Sequence, residues 1–295
     1  VVTTNFVKNM RLIYLAAKVR LGFLIVACAL AGIAVSPSSA LSNVQIIVLA
    51  VAVLLSSSIA GAFNQLYERD IDAVMLRTQN RPFVTGAFLP SNAWKFWLFV
   101  LSLIAIMIAY LATNIEAAFF LFAGSFTYGV IYTVWLKRKT WMNIVIGGLA
   151  GSFAVLVGSA ATGSTFAPAP LILAVILFLW TPPHFWALAI ICKEDYSKAS
   201  IPMLPSVASE LVTVQAIFWH TLILVLLSFS LMFYGMHWVY FLSALTGGGY
   251  FVYTSYQLAV KKTPHWARKT FYASIIHLGL LLIGTMIDAI IFVNV

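Results

Sequence analysis

The sequence predicts an all-α, polytopic membrane protein, a bundle of nine transmembrane helices forming a single domain over residues 1–295. The chain is 62% hydrophobic and only 8% charged, and its mean hydropathy is +1.00, values that are not typical of a soluble domain of this length. Its apolar runs reach the roughly 20 residues that a helix needs to cross about 30 Å of hydrocarbon. The runs are continuous rather than alternating, which excludes a transmembrane β-barrel.

Nine apolar runs define the predicted spans, and most of the segments between them are short. The loops after the second and sixth runs are longer and carry most of the acidic residues. The predicted spans cover residues 17–35, 44–66, 93–112, 117–136, 142–161, 169–191, 212–233, 238–260 and 271–293. No segment between them is long enough for a soluble domain, so the chain is expected to fold as one unit.

Lysine and arginine are confined to one predicted side of the membrane. All 17 belong to the N-terminal segment or to the regions around the loops after spans two, four, six and eight, whereas loops 36–43 and 161–170 hold none. Positively charged short loops stay cytoplasmic. The N-terminus and both long polar loops are therefore expected on the cytoplasmic side of a bacterial plasma (inner) membrane, with the C-terminus across it.

The net charge of +9 does not indicate a nucleic-acid partner, because the positive residues sit between spans and form no basic stripe on a soluble domain. The partner that the composition predicts is the lipid bilayer.

Cys28 and Cys192 lie in or beside apolar segments and suggest neither a disulfide framework nor a CxxC metal pair. The N-terminal segment has no signal-peptide pattern.

The densest group of charges is the stretch after the second span, NQLYERDIDAVMLRTQNRP. On a helix, Asn64, Glu68 and Asp72 recur at i, i+4 and i+8 and share one face. Amide and carboxylate oxygens gathered in this way suit Mg²⁺, which binds a few carboxylates together with substrate phosphates. Arg77 and Arg81 follow in the same stretch and suit the phosphates themselves. The simpler interpretation is a solvated loop with internal salt bridges.

The second informative stretch is WTPPHFWALAIICKEDYSKASIPMLP, at the cytoplasmic end of span six. Residues 182 and 183 are both proline, which predicts a kink or break near the cytoplasmic end of this helix. His184 follows directly, and Lys193 and Asp195 belong to a second charge cluster at the mouth of the span. The alternative interpretation is a helix-end cap with an interfacial belt of aromatic residues.

Basic residues in two further places have two interpretations. Lys137 and Arg138 belong to the dense run 137–139, and Lys18 and Arg20 lie at the cytoplasmic end of span one. They are either positive-inside anchors or a clamp for phosphate or carboxylate groups.

The sequence assigns no functional role to the other ionisable residues within the predicted spans. Lone histidines in a helix bundle, such as His220 and His277, are more often packing residues than ligands. Asp288, an acid towards the far end of span nine, is unusual there, and the sequence assigns it no role.

Taken together, two acidic clusters with neighbouring basic residues on one membrane side predict a site for a diphosphate held through Mg²⁺. Apolar helices around it would receive an isoprenoid-like tail, and Phe and Tyr walls would stabilise a carbocation. A transporter predicts ionisable residues at mid-membrane depth and paired broken helices, which this pattern lacks. A non-catalytic membrane assembly factor is compatible with the composition.

The motifs resemble those of the UbiA superfamily of intramembrane prenyltransferases. Within it, ERDIDAVMLRTQNRP (68–82), YTVWLKRKTWMNIVIGGLAGS (132–152) and TPPHFWALAI…KEDYSKASIPMLP (181–205) are similar to signatures of the protohaem IX farnesyltransferase family. The similarity extends over nearly the whole chain. It implies a nine-helix bundle of the UbiA type that transfers farnesyl from farnesyl diphosphate to a vinyl group of haem b, giving haem O and diphosphate.

The resemblance also implies site roles. Asn64, Glu68 and Asp72 would bind Mg²⁺–diphosphate, although the family more often has Asp at position 68. The second Asp-rich motif of other superfamily members is replaced here by His184 and the cluster 193–195. His184 would contact the haem, at the iron or at a propionate, or would hold the acid cluster. Partner candidates are a downstream haem A synthase or a terminal oxidase, and the nearest alternative is a UbiA-type enzyme with an aromatic acceptor.

Overall fold

The computed structural model describes residues 2–37 and 41–292, and within that part it is helical with no strands. Part of the predicted loop 36–43 and the last residue of the ninth predicted span lie outside the described residues. The helices are α1 (Val2–Ala16), α2 (Val19–Ala34), α3 (Asn43–Tyr67), α4 (Arg69–Val74), α5 (Asn92–Ala112), α6 (Ile115–Phe126, continuing as a π-helix over Thr127–Leu136), α7 (Asn143–Gly147), α8 (Leu149–Ala161), α9 (Pro168–Ile191), α10 (Lys193–Lys198), α11 (Leu204–Val207), α12 (Glu210–Phe229, followed by the 3₁₀ turn Ser230–Tyr234), α13 (Trp238–Lys261) and α14 (Pro264–Phe292).

The chain is a multi-pass integral membrane protein with a helix at each predicted span. Seven segments are long and apolar enough to cross a membrane, namely α3, α5, α6 with its π-helical extension, α7 with α8, α9, α12 with its 3₁₀ turn, and α14. The bent pair α1–α2 makes an eighth. Helix α13 has the length, but its Gly, Ser, Thr and Tyr residues lower its mean hydropathy, so the predicted count of nine is not confirmed.

Helices α1 and α2 meet at a bend of 50°. Lys18 forms this corner in the left-handed region, with φ 49°, a conformation that costs a non-glycine residue of order 1 kcal/mol or more. Gly61 of α3 lies under the corner, where an added Cβ would be 3.0 Å from the carbonyl oxygen of Ala17. The bend therefore depends on a close approach to α3, and it fixes where the Lys18 side chain begins.

The sixth span is not broken at its two prolines, so the predicted break is wrong. Helix α9 continues through Pro182 and Pro183, both of which are buried. A proline removes one backbone N–H bond, but α9 is packed between α8, α12 and α14. Trp180 Nε1 adds a hydrogen bond of 2.9 Å to the Ser274 carbonyl of α14. Tertiary packing here outweighs the local helix-breaking tendency.

Asp288 caps a neighbouring helix. Its carboxylate accepts the backbone N–H of His237 at 2.7 Å and of Tyr240 at 3.0 Å, at the start of α13. The first N–H groups of a helix have no partner within the helix, and a negative charge there also complements the helix dipole. The fully buried acid that the sequence left without a role therefore fastens α14 to α13.

Candidate active site

One cavity joins the polar and apolar parts of the bundle. Its volume is about 370 Å³, within the range of small-molecule sites. Its polar wall consists of Lys18, Asn64, Glu68, Asp72, Arg77, Arg81, Tyr128, Tyr132, Lys137, Tyr196 and His184. Its apolar wall includes Leu21, Leu24, Ile25, Ile144, Leu177, Trp180 and Leu278. A ligand with an anionic head and an apolar body would match both walls.

The first motif presents three side chains to this cavity. Helix α3 ends at Tyr67, yet Glu68 N donates to Asn64 O at 2.9 Å and Asp72 N donates to Glu68 O at 2.8 Å. The i to i+4 pattern thus passes through the junction with α4. Asn64, Glu68 and Asp72 therefore line the same cavity, as their spacing predicts.

Each carboxylate of the motif is paired with a cation from the cavity wall. Lys137 Nζ lies 2.5 Å from Glu68 Oε2, and Arg81 lies 2.5 Å from Asp72 Oδ2. The second oxygen of Glu68, Oε1, is buried and has no hydrogen-bond partner within the described part of the chain. Burial lowers the pKa of Lys137, and the Glu68 carboxylate opposes that shift.

The amide of Asn64 is held from both ends. Its Oδ1 accepts from Lys18 Nζ at 2.6 Å, and its Nδ2 donates to Thr133 Oγ1 at 3.0 Å. Lys18 Nζ also donates to the Tyr128 hydroxyl at 3.0 Å. These contacts fix the amide with its oxygen towards the basic residue at the α1–α2 corner.

The π-helical part of α6 supplies residues that the motif analysis did not identify. Thr133 Oγ1 donates to Tyr128 O, and Lys137 N donates to Tyr132 O, both five residues back. The rings of Tyr128 and Tyr132 stack at 5.7 Å on the cavity wall. π-Helical turns are frequent at functional sites. Nothing in the apolar pattern of span four distinguishes a π-helix from an α-helix.

The second motif contacts the first through the backbone. The carboxylate of Asp195 in α10 accepts from Leu76 N at 3.2 Å and from Arg77 N at 3.3 Å. Asp195 is buried but does not line the cavity, whereas Arg77 and Tyr196 do. Asp195 thus holds the segment that carries Arg77. Lys193 is exposed and lies away from the cavity lining.

His184 occupies the cavity wall in an aromatic setting. Its ring stacks on Trp180 at 4.3 Å and on Phe271 at 4.7 Å between centroids. Its Nδ1 lies 2.7 Å from the hydroxyl oxygen of Ser274. The sequence singled out His184 from its neighbours along the chain, but Phe271 and Ser274 are about 90 residues away and gave no local signal.

Besides Lys193, two of the predicted basic residues lie outside the cavity lining. Arg20 is exposed, and its Nε donates to the Tyr14 hydroxyl at 3.2 Å. Arg138 makes a two-bonded ion pair with Asp70, at 2.7 and 2.8 Å, on the surface. The donated hydrogen bonds from Arg138 lower the pKa of Asp70. Asp70, two positions off the cavity face, is an ion-pair partner.

The oxygen ligands in the cavity are too few to coordinate a metal ion by themselves. They suit Mg²⁺, which takes only part of its coordination shell from protein. Across residues 2–37 and 41–292, no group of three or more His, Cys, Asp or Glu side chains could hold a metal ion. The cavity instead offers two carboxylates and one amide oxygen, and among the carboxylate oxygens Glu68 Oε1 has no partner within the described residues. Mg²⁺ usually binds one or two carboxylates and completes its shell with waters and substrate phosphates.

Fold and cavity define a multi-pass helical membrane protein with a site for a ligand that is anionic at one end and apolar at the other. The chain belongs to the UbiA prenyltransferase family, whose model matches residues 25–276. It is 46% identical over 280 residues to protoheme IX farnesyltransferase 2 of Paramagnetospirillum magneticum, covering 95% of this chain and 97% of that relative.

Solved structures share the fold. A digeranylgeranylglyceryl phosphate synthase superposes with a TM-score of 0.79 over 97% of this chain and 100% of its own, at 15% identity. A UbiA homologue from Archaeoglobus fulgidus, bound to DMAPP and Mg²⁺, superposes with a TM-score of 0.68 over 91% of this chain and 98% of its own, at 13% identity. At these identities the likeness concerns the fold alone.

Proposed function

We propose that this protein transfers the farnesyl group of farnesyl diphosphate to a vinyl group of haem b, forming haem O and releasing diphosphate. The observation that carries the proposal is that one cavity is lined both by acids and cations and by an apolar wall, with His184 among its lining residues. The high identity to a relative named as a protoheme IX farnesyltransferase supports the same acceptor.

Asn64, Glu68 and Asp72 would hold Mg²⁺ in this proposal, as the buried and unpartnered Glu68 Oε1 suggests. The bound cation would supply positive charge to the diphosphate as it leaves. The binding of Mg²⁺ with a prenyl diphosphate in a protein of the same fold supports this assignment.

The protein's own cations would bind the diphosphate. Lys18, Arg77, Arg81 and Lys137 line this cavity and carry donors suited to phosphate oxygens. Such donors, fixed in place before the reaction, stabilise the charge that develops on a leaving group. Lys193, Asp195, Arg20 and Arg138 act from outside the lining, where they position or anchor the loops.

In the reaction, the bond between C1 of farnesyl and the diphosphate oxygen breaks, and its electron pair leaves with diphosphate. The vinyl group supplies the pair for the new carbon–carbon bond, and the cation left on the acceptor takes the oxygen of water, which releases a proton. Tyr128 and Tyr132 line the cavity, where aromatic rings stabilise a nearby cation. The apolar wall keeps other water away.

The proposal includes location and partners. The distribution of all 17 lysine and arginine residues supports a cytoplasmic N-terminus and active site in a bacterial inner membrane. The chain is proposed to act as one domain over residues 1–295. The product would pass to a downstream haem A synthase or a terminal oxidase.

The test is turnover by the purified protein with haem b, farnesyl diphosphate and Mg²⁺. Mass spectrometry should detect a haem product heavier by the farnesyl and water additions. Asp72→Ala should abolish it while the protein still inserts and elutes as the wild type does. Near-full activity of that variant would overturn the Mg²⁺ assignment.

Two alternatives give different outcomes in the same assay. Transfer to a phenolic acid but not to haem would replace the haem acceptor and keep the prenyltransferase class. No transfer to any acceptor, with haem still bound, would favour a membrane assembly factor.

A further inference from the structure

The hydrogen bonds around Ser274 determine which nitrogen of His184 carries the proton. The Ser274 hydroxyl has one proton, and it donates that proton to the Phe271 carbonyl at 2.6 Å. The same oxygen lies 2.7 Å from His184 Nδ1, so it must accept in that contact. Nδ1 is therefore the protonated nitrogen, and Nε2 of the neutral ring carries the lone pair.

The plane of the imidazole is fixed as well. Trp180 stacks on His184 with an interplanar angle of 19°, and Phe271 stacks with an angle of 27°. Trp180 is itself tied to Ser274, because its Nε1 donates to the Ser274 carbonyl. Helices α9 and α14 together therefore hold the ring from both faces and at one nitrogen.

Nε2 is the ring atom that these contacts leave available. No hydrogen bond engages it within the described part of the chain, and His184 lines the cavity. A lone pair cannot donate to a propionate, whereas an imidazole whose other nitrogen donates to an oxygen is the usual form of a metal-binding histidine. His277 also has unpartnered ring nitrogens, but it does not line this cavity.

We propose that Ser274 is a positioning residue that fixes His184 as the Nδ1–H tautomer, so that His184 Nε2 is an axial ligand of the iron in the haem acceptor. The inference rests on the proposed function, since it assumes an iron porphyrin in the cavity. It assigns the iron, and not a propionate, to His184. It also places the porphyrin against the part of the cavity wall that includes Trp180.

The experiment compares ferric haem b with metal-free protoporphyrin IX, which has the same propionates and no iron. Each is titrated into purified protein without a prenyl diphosphate, and binding is followed by absorbance and, for haem, by electron paramagnetic resonance. His184→Ala removes the ligand itself, so it should weaken haem binding by more than the roughly 10–100-fold that is typical of losing an outer-shell partner, and it should remove the signature of nitrogen ligation. It should leave the affinity for the metal-free porphyrin unchanged, which also verifies the fold of the variant.

Ser274→Ala should weaken haem binding less than His184→Ala does and alter the haem spectrum, and Ser274→Thr, which keeps a hydroxyl, should restore both. The matched controls are Ser255→Ala and His220→Ala. Ser255 is also a fully buried helix serine that donates to a carbonyl three residues back, and neither control residue lines the cavity. Both controls should bind the two porphyrins as the wild type does.

Three outcomes would overturn the inference. Equal losses for haem and for the metal-free porphyrin in His184→Ala would mean a contact with the ring or the propionates. An unchanged haem spectrum with reduced turnover would make Nε2 a proton acceptor. Unchanged binding in Ser274→Ala would remove Ser274 from the arrangement. A wild type that binds neither porphyrin would instead sink the proposed function.

Discussion

Glu68 and Asp288 are equally inaccessible, since both are 0% exposed, yet their surroundings differ. Asp288 accepts two backbone N–H groups at the start of α13, so its charge is used within the fold. Glu68 has one oxygen paired with Lys137, and the other has no hydrogen-bond partner among residues 2–37 and 41–292. Burying a carboxylate without full hydrogen bonding is unfavourable. Of the two carboxylates, Glu68, whose hydrogen bonding is incomplete, is the one that lines the cavity.

The comparison teaches how to separate structural from functional acids in a membrane bundle. Burial alone does not do so, because both residues are buried. The distinction lies in whether the oxygens are already satisfied by groups that cannot move away. Backbone amides at a helix start are permanent partners, whereas a lysine on a flexible stem can be exchanged for a ligand.

Among the variants that test this comparison, the largest expected effect comes from Glu68→Gln, which keeps the shape and removes the charge. Turnover should fall by about 10²–10³-fold, the usual result of removing one electrostatic contact to developing charge. The midpoint of thermal unfolding should fall less than in Asp288→Ala, because the amide oxygen of the variant can still accept from Lys137 although the lysine loses its buried counter-ion. Steady-state kinetics and a thermal melt in detergent measure the two quantities. If the unfolding midpoint of the variant fell far below that of the wild type and unfolding alone explained its inactivity, Glu68 would be a structural acid like Asp288.

Asp288→Ala should give the opposite pattern. Two backbone N–H groups at the start of α13 lose their acceptor, which costs about 1–3 kcal/mol of unfolding free energy. The folded fraction should retain the wild-type kcat, because Asp288 does not line the cavity. Chemical denaturation in mixed micelles measures the stability, and kinetics on the folded fraction measures the activity. A loss of kcat with unchanged stability would contradict the structural role.

Asp195→Asn tests an acid of intermediate character, which is buried, bonded to backbone, and next to the cavity. One of the two N–H groups of residues 76 and 77 loses its acceptor, so Arg77 is held less firmly. The KM for the prenyl diphosphate should rise about tenfold, or roughly 1.4 kcal/mol, with little change in kcat. The control is Glu194→Gln, an exposed neighbour in α10. A fall in kcat with unchanged KM would make Asp195 part of the reacting centre instead.

The sequence predicted those parts of the fold and site that depend on local periodicity. A helix occupies each predicted span, because each apolar run is long enough to be read alone. The shared face of Asn64, Glu68 and Asp72 followed from the helical repeat, which survives the junction at Glu68. These features require no knowledge of what lies across the bundle.

Contacts between distant segments could not be read in this way. Ser274 reaches His184 from another helix, and the stacked pair Tyr128 and Tyr132 depends on a π-helix that no apolar pattern reveals. The prolines of α9 predicted a kink or break, and the helix is unbroken because it packs against α8, α12 and α14, which are invisible in the local sequence.

The basic run 137–139 illustrates the same limit at close range. Lys137 and Arg138 lie in the turn that follows the π-helix at Leu136. Lys137 reaches Glu68 in the cavity, whereas Arg138 reaches Asp70 on the surface. Composition alone treats the two residues as one cluster, and only the geometry of the turn separates the cavity residue from the surface residue.

The smallest expected effect is that of Asp70→Asn, which breaks the surface counterpart of the Glu68–Lys137 pair. The Asp70 and Arg138 side chains are 61% and 41% exposed, so solvent screens their attraction. Exposed ion pairs contribute about 0–1 kcal/mol. Turnover and unfolding midpoint should both match the wild type. Because Arg138 lowers the pKa of Asp70, the ion pair's small contribution to the free energy of unfolding is present at neutral pH and fades as the pH falls through that lowered value. The unfolding free energies of the variant and the wild type should therefore differ slightly at neutral pH and become equal in acid. If Asp70→Asn instead reduced turnover as Glu68→Gln does, the number of protein hydrogen bonds to a carboxylate would no longer separate functional acids such as Glu68 from structural acids such as Asp70 and Asp288.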